Sequence, residues 1–138
     1  MGLILDTIIY ANLLFSPEML SEKDLAFIDE QKELYITMPT LWEMANHFRK
    51  GTYSTDNSSF EVFIKTANKD LNIKVLPISW KVMDWLSTEP YLVVFGKEHK
   101  DTFDRMIIAH GIISNLPIIT KDNFFPAYST VGLHCIHI

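Results

Sequence analysis

Five short apolar runs constrain this chain more than any other feature: "LIL" at 3–5, "ELYITM" at 33–38, "IKVLPI" at 73–78, "LPIIT" at 116–120 and "LHCIHI" at 133–138. They are rich in Ile, Leu and Val, and too apolar to leave one face in water as a half-exposed antiparallel strand does. The segments between them carry apolar residues at helical spacing. Strand and helix thus alternate, which predicts an α/β sandwich around a mainly parallel sheet, covered by helices on both faces.

The helices are signalled at their ends. "IIYANLLF" places Ile9, Tyr10, Leu13 and Leu14 at helical spacing after the first strand. Ser21-x-x-Asp24 resembles a capping box, with Leu20 and Leu25 as its hydrophobic staple. "PTLWEMANHFRKG" opens on Pro39, runs Leu41, Met44, Ala45 and Phe48 along one face and stops at Gly51. After the polar loop "GTYSTDNSS", Ser58-x-x-Glu61 predicts the next cap, with a core stripe of Phe60, Phe63, Ile64, Ala67 and Leu71. "SWKVMDWLS" reads as a short helix, and another begins near Asp101. The apolar "YLVVFG" between them is expected to be a core strand, the alternative being an exposed patch for a partner.

A chain of 138 residues suits one domain over 1–138, and neither repeats nor low-complexity tracts interrupt it. Seventeen acidic residues against 12 basic ones give a net charge of −5, so any polyanion must be met by a local basic patch. The lone Cys135 cannot form an internal disulfide, which agrees with a cytoplasmic location. The apolar start "MGLILDTIIYANLLF" carries Asp6 and falls short of a membrane span, so it reads as core, with no membrane association expected. Gly2 is not a myristoylation signal, since that pattern wants Ser or Thr where Asp6 stands.

The chemistry lies in the carboxylates. In open parallel sheets ligands bind beyond the carboxyl ends of the strands. Asp6 closes the first strand and Asp122 follows "IIT", so both should project from one edge, where Asp104 at a helix start can join them. Asp101 and Asp104, three residues apart, fall on one side of a helix. Two like charges about 4 Å apart repel by roughly 4 kcal/mol at an effective dielectric of about 20, which solvent, an Arg or a cation must offset. Each acid also has a structural reading: Asp101 and Asp104 favouring a helix N-terminus, Asp6 capping a helix, Asp122 in a turn with Asn123. Together, several carboxylates aimed at one edge call for a hard divalent cation held by oxygen, magnesium or manganese rather than zinc. Glu43 lies opposite its helix's apolar stripe and reads from spacing as a solvated surface residue.

Four segments, "LILDT", "LWEMANH", "HKDTFDRMIIAHG" and "LPIITKD", in that order, resemble the PIN-domain family and within it the VapC-type toxins of bacterial toxin–antitoxin pairs. The resemblance spans nearly the whole chain. It implies a three-layer α/β/α sandwich with a parallel five-stranded sheet and an acidic pocket that binds Mg2+ or Mn2+ and hydrolyses RNA phosphodiesters. By motif the catalytic residues would be Asp6, Glu43, Asp104 and Asp122, with Asp6, Asp104 and Asp122 on the metal. Asp101 matches a second acid of the same stretch and would stand behind them; Thr120, read from its place two residues before Asp122, could orient a ligand or water, the alternative being an ordinary strand-end residue. The family's partners, a cognate antitoxin and a second copy forming a homodimer, are implied likewise. Two departures are Ile8, where the family often has His, and Thr102, where Pro often follows the acid.

RNA would have to meet local cations, for which Arg105 and Lys121 are the first candidates, followed by Arg49, Lys50, Lys97 and Lys100. "HCIH" is not a zinc site, because alternation puts Cys135 and His137 on one face and His134 on the other. His110, inside an apolar helix, reads as structural, and no Gly-rich phosphate loop is present. Two other classes compete with a metal-dependent endoribonuclease: a non-catalytic binding module of the same fold, and a magnesium-binding phospho-acceptor receiver domain. The lone early acid disfavours the receiver, which usually has adjacent ones.

Overall fold

A computed structural model describes residues 2–53 and 58–138. The elements follow in the order β1 (Gly2–Leu5), α1 (Thr7–Phe15), α2 (Glu22–Asp29), β2 (Glu33–Thr37), α3 (Met38–Arg49), α4 (Phe60–Leu71), β3 (Ile73–Leu76), α5 (Trp80–Thr88), β4 (Val93–Val94), β5 (Lys97–Glu98), α6 (Thr102–Ser114), β6 (Ile118–Thr120) and β7 (Cys135–His137). Short 3₁₀ turns at Pro17–Met19 and Phe125–Val131 complete the described chain. The five apolar runs form one sheet in the order β3-β2-β1-β6-β7, and every pairing in it is parallel. The expected α/β/α sandwich with a parallel five-stranded sheet is therefore the observed fold.

Strand periodicity explains the two cores. Leu3 and Leu5 of β1 face one layer, where they meet Ile9, Tyr10, Leu20, Ile28, Met44 and Ile64 from α1 to α4 and the turn before α2. Ile4 faces the other, packing with Ile107 and Ile108 of α6 and with Phe125 and Tyr128. Every residue of β1 is buried, as a central strand covered on both sides requires. Gly111 lets α6 lie close on β6: a Cβ there would come within 2.7 Å of Ile118 Cδ1.

Ser21 and Ser79 cap α2 and α5 by accepting from the backbone N–H of Asp24 and Val82. The cap of α4 differs from the expectation at Ser58. It is Ser59, which accepts from Val62 N–H because the helix starts at Phe60. Part of the loop "GTYSTDNSS", residues 54–57, lies outside the described residues. Of the α4 stripe, Ile64 is buried and Phe60 and Phe63 are partly so, while Leu71 is exposed.

"YLVVFG" is not a core strand. Val93 and Val94 pair antiparallel with Glu98 and Lys97 in a hairpin separate from the sheet. Val94 is buried there, whereas Tyr91, Val93 and Phe95 are exposed. A two-residue strand has only one inward position to fill, so the rest of the apolar run stays outside. No helix among the described residues is long and apolar enough to cross a membrane.

Candidate active site

The chain leaves β1 toward β2 and β3 and returns on the other side of β1 to add β6 and β7. The reversal falls between β1 and β6, where the loops leaving their carboxyl ends diverge and open a crevice. Asp6 follows β1 directly, and Lys121 and Asp122 follow β6. A cavity of about 360 Å³ opens there, lined by Asp6, Glu43, Asp104 and Asp122 together with Thr7, His47, Tyr53 and Lys121. The four acids come from the β1–α1 junction, α3, the first turn of α6 and the loop after β6.

Each carboxylate is held by its own partners. Asp6 caps α1 by accepting from Thr7 N–H at 2.8 Å through Oδ1, while its Oδ2 accepts from Thr120 Oγ1 at 2.6 Å. Glu43 accepts from Thr7 Oγ1 at 2.7 Å, and that hydroxyl lies 3.0 Å from Thr40 Oγ1. Asp122 accepts from Phe124 N–H at 2.7 Å through Oδ1, and its own N–H donates to Thr120 Oγ1 at 2.9 Å. Asp104 Oδ2 lies 3.3 Å from His99 Nε2. Asp101 is exposed, caps α6 by accepting from Asp104 N–H at 2.9 Å, and stands outside the cavity lining. The capping and turn roles that each acid could play singly thus coexist with their meeting at one edge.

The electrostatics follow from crowding acids in a half-dry hollow. Burial pushes Asp6 up from 3.8 to about 6, against the hydrogen bonds from Thr120 and Thr7, and the charges of Glu43 and Asp122 add to the rise. Burial followed by the charges of Asp101, Asp122, Asp6 and Glu43 drives Asp104 up to about 8. Glu43 is raised by burial, which its bond from Thr7 opposes and the Asp101 charge reinforces. Burial lowers His99, opposed by the charges of Asp122 and Asp101.

Among the described residues no Lys or Arg forms an ion pair with Asp6, Glu43, Asp104 or Asp122. Lys121, at the cavity wall, donates instead to Asn12 Oδ1 and Met19 O, both at 2.9 Å. An all-oxygen, charge-crowded set without a cationic partner fits a hard divalent cation, and Asp6, Glu43, Asp104 and Asp122 are the residues that could hold it. In this conformation no three His, Cys, Asp or Glu side chains among the described residues converge tightly enough to grip one ion. Ligation would therefore draw the carboxylates inward.

Glu43, read from spacing as solvated, lines the cavity because α3 packs on both α1 and α6. Thr40, Glu43 and His47 form a polar stripe on α3, the sequence signal that would have turned Glu43 inward. Thr7, Thr40 and His99 were missed altogether. Arg105, expected as an RNA contact, is buried: its Nη2 donates to Glu89 O at 3.0 Å, and its guanidinium sits 4.5 Å from the Tyr91 ring centre and 5.5 Å from that of Trp85. A guanidinium enclosed in this way is engaged by the protein itself, which argues against a contact to a phosphate. His110 is buried in α6 away from the cavity, and burial lowers it to about 4.

Solved structures share this fold over nearly its whole length. The structure of VapBC2 from Rickettsia felis, bound to a DNA fragment from its promoter, aligns with a TM-score of 0.71 at 16% identity over 99% of this chain and 98% of that one. FitAB bound to the IR36 DNA fragment aligns at 0.65, with 19% identity over 98% and 94% of the two chains. VapBC-1 from nontypeable Haemophilus influenzae aligns at 0.64, with 18% identity over 99% and 98%. Identities this low speak for the shared fold. A search of curated proteins finds no match. The model of the PIN domain matches residues 3–130, a span of nearly the full length within which Asp6, Glu43, Asp104 and Asp122 all fall, and the chain therefore belongs to the PIN-domain family.

Proposed function

We propose that this protein is a metal-dependent endoribonuclease that hydrolyses RNA phosphodiester bonds, and that it is the toxin of a toxin–antitoxin pair. The observation that carries the reading is the convergence of Asp6, Glu43, Asp104 and Asp122, from four separate segments, on one cavity at the sheet's switch point. Asp6, Asp104 and Asp122 would hold Mg2+ or Mn2+, with Glu43 ligating directly or through water. A divalent cation bound there supplies an activated water and neutralises charge on the phosphoryl oxygens. The chain's own part is positional. Thr120 and Thr7 N–H fix both oxygens of Asp6, and Thr7 Oγ1 aims Glu43. Lys121 at the cavity wall offers positive charge to the RNA backbone, with exposed Arg49, Lys50, Lys97 and Lys100 farther out.

An antitoxin partner is supported by the likeness to VapBC and FitAB assemblies. A homodimer is supported by an apolar groove of about 820 Å³ along α3 and α6, where exposed Trp42 meets Phe103 at 5.9 Å between ring centres. We place the activity in the cytoplasm, where its RNA substrate is.

The test is incubation of the purified protein with mixed RNA, with Mg2+ or Mn2+ and then with chelator, beside Asp6→Ala and Asp104→Ala. Expected is metal-dependent cleavage lost in both variants. Variants that cut RNA as well as the parent would show the pocket to be wrongly assigned. A folded parent that cuts no RNA with either metal would favour a binding module of the same fold.

A further inference from the structure

His99 is 6% exposed, and its backbone N–H and both ring nitrogens have partners. Its backbone N–H donates to Leu92 O at 2.8 Å, Nδ1 lies 2.7 Å from the Tyr128 hydroxyl and Nε2 lies 3.3 Å from Asp104 Oδ2. The imidazole is stacked on Phe124, ring centres 4.9 Å apart and planes 14° from parallel, and meets Tyr128 edge-on at 5.5 Å. Two aromatic rings therefore fix both its position and its plane.

Asp104 depends on this ring in a way the other acids do not. Asp6 and Asp122 are each held by a backbone N–H close in sequence, and Glu43 by the hydroxyl of Thr7 in the same wall. Among the described residues, no group other than His99 hydrogen-bonds the Asp104 carboxylate. A carboxylate that ligates a cation is ionised and only accepts, so in that form Nε2 carries the hydrogen toward Asp104. The lone pair of a neutral ring is then on Nδ1, where the Tyr128 O–H donates to it. At 3.3 Å the contact is long for an N–H···O bond, short enough to steer a rotamer and loose enough to let the carboxylate turn inward onto an ion.

We propose that His99, held in place by Tyr128, is a positioning residue that keeps Asp104 aimed into the cavity and so sets how tightly the carboxylates take a divalent cation. The inference rests on the metal-binding reading above. Groups that orient a metal's ligands typically change affinity by about 10- to 100-fold when removed.

The experiment is calorimetric titration of the full chain with Mn2+, with no RNA present, on the parent, His99→Phe, His99→Gln and Tyr128→Phe, each checked by thermal unfolding. His99→Phe preserves the stack on Phe124 and removes both ring nitrogens, and its Mn2+ Kd should rise about 10-fold or more. His99→Gln, whose amide N–H can donate to Asp104, should recover part of the loss, and Tyr128→Phe should weaken binding by a smaller factor. A residue with a merely structural part would lower the unfolding midpoint and leave the Kd unmoved. A folded His99→Phe with the parent's Kd overturns the proposal, and if that variant does not fold, an unaltered Kd in Tyr128→Phe does so. A parent that binds no Mn2+ overturns the metal reading itself, and this inference with it.

Discussion

Thr120 Oγ1 donates to Asp6 Oδ2 at 2.6 Å across 114 residues of sequence, in a spot sealed from solvent. The bond ties the carboxyl end of β6 to that of β1. The same hydroxyl oxygen accepts from Asp122 N–H, so one threonine fixes two of the four acids.

Thr120→Val should leave a folded protein with a damaged site. Valine matches threonine in shape and suits a strand, but it removes the donor to Asp6 and the acceptor for Asp122 N–H. The bond to Thr120 lowers the Asp6 pKa, so its loss should push that group further up and leave less carboxylate at neutral pH. A stability loss of about 1–3 kcal/mol is expected in denaturant unfolding, with weaker Mn2+ binding at pH 7 that recovers as the pH is raised. Unaltered Mn2+ binding would mean that the threonine is only a strand residue.

The stability of the metal-free protein should fall as pH rises. Asp6 and Asp104 ionise at about 6 and about 8 in the folded state against 3.8 when unfolded. Between those values the unfolded chain has released protons that the folded chain still holds, so their favourable contribution is complete below 3.8 and lost as pH climbs through about 8. Thermal unfolding with chelator from acid to pH 9 reads this, and Asp104→Asn should flatten the upper part of the profile. Mn2+ at a hundred times its Kd should restore about 2.7 kcal/mol at pH 8 in the parent, and less in the variant. Overlapping profiles for parent and Asp104→Asn would contradict the raised value.

Arg105 is an anchor for the segment leading into the hairpin. It joins α6 to Glu89 O and sits against Trp85 and Tyr91. Arg105→Ala forfeits a charged hydrogen bond and its ring contacts, about 2–4 kcal/mol together, and should show itself in the unfolding midpoint. RNA affinity measured under conditions where the variant is folded should change little. A stable variant with weakened RNA binding would restore the arginine as a nucleic-acid contact.

What was legible in the sequence followed from local rules. Asp6 and Asp122 could be paired across the sheet because each ends an apolar run, and strand ends of a parallel sheet share an edge. The cap of α2 could be read from Ser21 because capping is a matter of a few residues. Glu43 was reached through the family motif and not through spacing, because its direction is set by α3 lying on both α1 and α6, a tertiary fact that the Leu41–Phe48 stripe does not encode. His99 escaped for the same kind of reason, its partner Tyr128 standing 29 residues away. "YLVVFG" misled because apolarity measures a tendency to leave water and not the room available, and the hairpin has room for Val94 alone among its strand valines.

Glu43→Gln separates ligation from packing at the acid that spacing disowned. The amide retains the length of the side chain and its carbonyl oxygen can still accept from Thr7 Oγ1, so the fold and the contact to α1 should survive. What is lost is a negative charge among crowded acids. Removing it relieves repulsion on Asp6 and Asp104, whose pKa values the Glu43 charge raises, so both should ionise at somewhat lower pH in the metal-free variant. If Glu43 serves the cation directly or through water, turnover on RNA should drop by about 10-fold or more while the unfolding midpoint holds or rises. Turnover equal to the parent's would return Glu43 to the role of a partner for Thr7, and the candidate site would contract to Asp6, Asp104 and Asp122.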